Sequence, residues 1–105
     1  MELDINQLRI LCKKDNIRIT VHAAKRLEQR GIRLADVMAC IQNGKIIEQY
    51  PDDYPFPSCL ILGFSVNNKY LHTVIGTDGK ILFLITAYYP APEEWDAMFE
   101  KRKEK

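Results

Sequence analysis

Three side chains able to hold an anion or move a proton recur at steps of four in one short stretch: His22, Arg26 and Arg30. In a helix this spacing lays them along one gently drifting stripe. Ala23, Ala24 and Leu27 make the opposite, small apolar side. Such a helix can pack close to a neighbour while its imidazole and guanidiniums face elsewhere. Their natural counterpart is an anionic group, because a guanidinium grips oxyanions through two parallel hydrogen bonds. The competing reading is structural. His22 can cap the helix and bond a strand carbonyl, and Arg26 and Arg30 can pair with Glu28 or with the Glu93–Glu94 patch. Arg30 is the more structural of the two arginines.

The elements that must position this stripe are marked by local signals. Thr20 is an N-cap for the helix, and Gly31 stops it. Upstream, Asp4 and Gln7 form a capping box for a first helix with Ile5, Leu8, Leu11 and Cys12 on one side. Ile17–Ile19 reads as a short extended link. Leu34, Val37, Met38 and Ile41 predict a further helix, closed by Asn43-Gly44. Lys45–Tyr50 reads as a strand. Pro51, Pro55 and Pro57 then break regular structure in a loop that carries Tyr54 and Phe56.

From Cys59 the pattern becomes β. Cys59–Val66, Lys69–Thr77 and Lys80–Tyr89 predict three strands, joined at Asn67-Asn68 and Asp78-Gly79. Nearly every position is apolar or small, so both sheet faces should be covered, or one should line a groove. Pro92 suits the start of a closing helix with Trp95, Met98 and Phe99 as its packing stripe, and Lys101–Lys105 reads as a frayed tail. The fold class is α+β: N-terminal helices packed on an antiparallel β-meander, then a short C-terminal helix, as one domain over residues 1–105.

Composition sets further bounds. The chain has 105 residues, 47% hydrophobic and 28% charged, which suits a globular domain with a single core. Its net charge of +1 gives no global basic field, so any basic site must be local. Cys12, Cys40 and Cys59 match no metal-ligand pattern and read as reduced, buried thiols of a cytoplasmic protein. No signal peptide or transmembrane run is recognisable.

Taken together, the chain resembles the bacterial family known as domain of unknown function 4258. The resemblance rests on His22-Ala23 with Arg26, Arg30-Gly31-Ile32, Val37, Asn43-Gly44 and Tyr50-Pro51. Later it rests on Leu71-His72, Ile85-Thr86-Ala87-Tyr88 and Pro90 with Trp95, so that it spans Ile17 to Trp95. It implies the RelE/ParE-like, barnase–colicin-type ribonuclease fold, which includes toxins of toxin–antitoxin pairs. It also implies a metal-independent endoribonuclease with no cofactor, acting on RNA such as ribosome-bound mRNA and partnered by a small antitoxin protein. Two features depart from this picture. Arg33 stands where a Ser or Thr would cap a helix, and the near-neutral charge is low for an RNA-binding toxin.

Cleavage without a metal needs a base for the ribose 2′-hydroxyl, an acid for the leaving 5′-oxygen, and donors for the charge on phosphate oxygens. His22 is the acid–base candidate, and Arg26 and Arg30 are the phosphate binders. Thr86 and Tyr88 would position or stabilise the phosphate, and Tyr50 and Tyr54 would stack on bases. His72 becomes a second imidazole if it shares a sheet face with Thr86. A two-residue Asp78-Gly79 turn puts the two on opposite faces. A three-residue loop, with Gly79 left-handed, puts them on one face and is the expected arrangement. No carboxylate or thiol stands at ligand spacing from the histidines, so no metal site is expected. The alternative function is a non-catalytic protein- or RNA-binding module on the same fold.

Overall fold

The Thr20 hydroxyl accepts from the Ala23 amide at 3.0 Å and opens helix α2 (Val21–Gln29), as an N-cap should. Gly31 closes it with a left-handed φ of 68°. The structure, a computed structural model, describes residues 2–103. Helix α1 (Ile5–Leu11) is capped by Asp4, and a 3₁₀ turn (Lys14–Asn16) leads into strand β1 (Ile17–Ile19). Helix α3 (Leu34–Asn43) follows α2. The remaining strands are β2 (Lys45–Tyr50), β3 (Ser58–Phe64), β4 (Tyr70–Thr77) and β5 (Leu82–Tyr88). Together the five strands form one sheet in the order β1-β5-β4-β3-β2. Among the described residues, no helix is long and apolar enough to cross a membrane.

The architecture is the α+β arrangement expected from the sequence, with helices on one face of the sheet. Cys59 and Ile61 of β3, Leu71 and Ile75 of β4, and Leu82, Leu84 and Ala87 of β5 form the core with Leu8, Leu27, Val37, Cys40 and Ile41 of the helices. Helix α3 comes unusually near the sheet. A Cβ on Gly63 would lie 2.5 Å from the Cys40 carbonyl oxygen, and one on Gly44 would lie 2.4 Å from the same atom. Gly44 is therefore needed for this close approach. Its backbone is extended (φ −96°), so it is the missing side chain and not a left-handed turn that the position requires.

Three further expectations are corrected. Ile17–Ile19 is a strand, not a link; it pairs parallel with Leu82–Leu84 and makes the sheet mixed. Pairing satisfies backbone groups that would otherwise be stranded beside the buried Ile17. Arg33 needs no hydroxyl to open α3. The buried Asp36 carboxylate accepts from the Arg33 amide at 2.9 Å and from the Val66 amide at 3.0 Å, tying the helix start to the β3–β4 turn.

Residues 92–103 form no C-terminal helix. Asp96 accepts from the amides of Met98 and Glu100 at 3.2 and 3.0 Å, and Phe99 turns left-handed (φ 59°). An aspartate that bonds nearby amides in this way competes with helical pairing. The chain doubles back, with Trp95 bridged to Arg102, and lies across the sheet face away from the helices. Trp95 is still the packing anchor, only 1% exposed.

Candidate active site

Two β-bulges decide which polar side chains meet on the helix-free face. In β2 the register shifts between Ile46 and Glu48, so Glu48 faces Leu60 and Tyr50 faces Ser58. In β5 the shift falls between Leu84 and Thr86, so Thr86 faces Val74 and Tyr88 faces His72. Without these extra residues, strict alternation would send Glu48, Tyr50, Thr86 and Tyr88 to the helix side. His72 and Thr86 do share a face. The β4–β5 connection is neither of the two loops considered from sequence. Thr77 pairs with Leu82, and it is the bulge that restores the shared face.

His72 sits at the centre of this band and is fully buried. Its Nε2 lies 2.8 Å from the Phe99 carbonyl oxygen, and its Nδ1 lies 3.4 Å from the Tyr88 hydroxyl. A carbonyl can only accept, so Nε2 carries the proton and the bare Nδ1 accepts from Tyr88. The Trp95 ring stands edge-on to the imidazole, with centroids 4.4 Å apart. Burial pulls the His72 pKa down and keeps the ring neutral, although the Phe99 carbonyl and the Glu48 charge act in the other direction.

Beside it, Glu48 accepts from Tyr50 and from two guanidinium nitrogens of Arg102 at 3.1 and 3.3 Å. Burial opposes ionisation of Glu48, but Tyr50 and Arg102 hold its carboxyl below the usual range. Burial, reinforced by the Glu48 charge, pushes the Tyr50 phenol up to about 12. Burial likewise raises Tyr88. Both phenols therefore keep their protons at neutral pH.

Arg30 joins this band to α2. Beyond the last β1 pairing, at Ile19–Leu84, its Nη1 donates to the Thr86 hydroxyl at 3.1 Å and to the Ala87 carbonyl at 2.8 Å. Among the described residues its other guanidinium nitrogens make no hydrogen bond, which leaves donors for another acceptor. On α2, Ala23 and Leu27 are buried while His22 and Arg26, one residue ahead of each, lie exposed on the adjoining flank; Ala24 is exposed too. Among the described residues, His22 and Arg26 make no side-chain hydrogen bond or salt bridge. Between residues 17 and 33 five cations (Arg18, Lys25, Arg26, Arg30, Arg33) meet one carboxylate, Glu28, so the near-neutral chain has a locally basic segment.

The fold thus gathers Arg30, Thr86, Tyr88, His72 and Tyr50, and leaves His22 and Arg26 on the solvent side of the same helix. Tyr54 is apart, 92% exposed at the tip of the proline loop. Its neighbour Phe56 instead stacks on Phe83, with centroids 5.1 Å apart. Sequence reasoning missed Glu48, because its side depends on a bulge, and Arg102, because it lies in what read as a frayed tail. The thiols take no part: burial pushes Cys40 up to about 11 and Cys59 to about 12. Among the described residues, no three metal-ligating side chains gather to hold an ion.

Fold and site define an α+β domain whose helix-free sheet face carries a band of proton-transfer groups bordered by arginines. The chain belongs to the family described as Domain of unknown function (DUF4258), which matches residues 19–89. No curated protein and no solved structure matches it.

Proposed function

We propose that this chain is a metal-independent endoribonuclease of the RelE/ParE-like, barnase-type class, acting as the toxin of a bacterial toxin–antitoxin pair with a small antitoxin as its partner. The observation that carries the reading is the position of Arg30. It is anchored on Thr86 and Ala87, the residues just before Tyr88 on β5, and it follows His22 and Arg26 at steps of four along α2. A phosphate held by Arg26 and Arg30 would have a proton-transfer group on either side. His22 takes the proton of the ribose 2′-hydroxyl as that oxygen bonds to phosphorus. Tyr88 gives its phenolic proton to the 5′-oxygen as the P–O5′ bond breaks, and water then reprotonates it. The products are a 2′,3′-cyclic phosphate and a 5′-hydroxyl.

The test is cleavage of a mixed-sequence labelled RNA by the purified protein in EDTA, with His22→Ala prepared identically. Cyclic phosphate ends, absent with the variant, support the reading. Equal cleavage by the variant removes His22 from the mechanism, and no cleavage of free or ribosome-bound RNA overturns the activity. A second reading, a non-catalytic RNA-binding module, is favoured by the burial of His72, which leaves His22 as the exposed imidazole. RNA binding without cleavage would select it.

A further inference from the structure

We propose that residues 92–103 form a releasable strap over the sheet half of the site, and that RNA cleavage requires its release from His72, Tyr88 and Glu48. The inference rests on the ribonuclease reading above and adds its regulation.

Three observations carry it. First, the family match ends at Tyr89, and the groups that cover His72 (Trp95, Phe99 and Arg102) all come after it. The acid–base groups thus lie inside the matched segment, and most of their cover comes from the residues that follow it. Second, the strap is not a strand of the sheet. It is held by side chains: Trp95 edge-on to His72, Phe99 against Tyr70, Arg102 on Glu48 and Lys45 on Glu100. Both ion pairs are open to solvent on at least one side, so salt and competing anions weaken them. Third, the strap covers an imidazole, two phenols and a carboxylate. A face needing only to be shielded would be cheaper to build from apolar side chains.

The closed state is off in chemistry as well as in access. With the Nε2 proton of His72 bound to the Phe99 carbonyl, the imidazole accepts the Tyr88 proton at Nδ1 and turns it away from any substrate. Release frees Nε2, lets the ring take up a second proton, and makes Nδ1 a donor to the Tyr88 oxygen. The Tyr88 proton can then point to a leaving group.

The test uses the full chain with both ion pairs reversed in sense, Arg102→Glu with Glu100→Lys, and the milder Arg102→Gln as a second variant. Trp95 fluorescence should shift to the red and become quenchable by acrylamide, while amides of β4 and β5 keep their hydrogen-exchange protection. Cleavage of the labelled RNA should rise at least about tenfold, and Tyr88→Phe in the same background should remove the gain. If Trp95 stays shielded in both variants until β4 and β5 unfold, the segment is a fixed part of the fold and the strap is wrong. If it lifts but cleavage stays at the wild-type rate, the gating role is wrong. If it lifts and neither protein cleaves RNA, the ribonuclease reading fails and takes the gating role with it.

Discussion

His72 and Tyr88 are cross-strand partners on β4 and β5, and the imidazole Nδ1 accepts from the phenol at 3.4 Å while Nε2 is held by Phe99. Both ring nitrogens are thereby committed with the ring neutral. Protonation would add a second N–H facing a group that already donates.

Acid should therefore unfold this protein earlier than its carboxylates alone would require. In the unfolded chain His72 titrates near 6.5, and folding lowers that value. Between the two values the unfolded state binds more protons, so stability is full above about pH 6.5 and is lost as pH falls through the folded pKa. Asp36 and Glu48, held below the usual carboxylate range, add acid lability only at lower pH. Urea melts from pH 8 down to pH 5, approximately the window in which histidines titrate, should show the decline in wild type and a flatter profile in His72→Gln. Equal slopes in the two proteins would remove His72 as the cause.

His22 and Leu27 share a helix but should separate function from stability. His22 is exposed and without a partner among the described residues, so His22→Ala should alter stability by less than about 0.5 kcal/mol while abolishing cleavage. Leu27 is buried in the core, and Leu27→Ala should cost about 2–5 kcal/mol with the site chemistry unchanged where the protein is folded. Denaturant midpoints and RNA cleavage measured side by side check both. An unfolded His22→Ala protein would assign the histidine a structural role.

Arg30 should behave as both support and ligand. Arg30→Ala removes two hydrogen bonds to the exposed side of β5, a loss of about 1–3 kcal/mol, and weakens RNA binding. Arg30→Lys keeps the charge but not the second set of donors, so one ammonium would have to serve Thr86, Ala87 and a phosphate together. Its RNA affinity, measured by anisotropy, should fall between wild type and Arg30→Ala. An affinity equal to wild type would make the contact one of charge alone.

Gly63 should tolerate no side chain. Its Cβ would meet the Cys40 carbonyl at 2.5 Å, the Asn43 Oδ1 at 2.8 Å and the Cys40 Sγ at 2.9 Å. Helix α3 would have to move off β3, and Gly63→Ala should cost about 1–3 kcal/mol in a denaturant melt. A melt like that of wild type would mean that α3 shifts freely.

Local chemistry determined much of this protein directly from its sequence. Thr20 and Gly31 bound α2, Asp4 caps α1, and Gly79 turns the β4–β5 connection with a φ of 91°. Each acts through atoms within a few residues, and the apolar periods likewise assign helices to the first part of the chain and strands to the later part. The spacing that lines up His22, Arg26 and Arg30 is equally local. Tertiary structure decided the rest. Bulges at Ile47 and Ile85 inserted one residue each, reversing the faces of Glu48, Tyr50, Thr86 and Tyr88, and a period of two in the sequence cannot reveal where such an insertion falls. The parallel pairing of β1 with β5 joins segments more than sixty residues apart. Residues 92–103 look helical by their apolar spacing, yet Asp96 binds its own loop and Trp95 finds His72 instead. Residue types and short-range hydrogen bonds fixed the elements, while long-range register and packing fixed which of their side chains could meet.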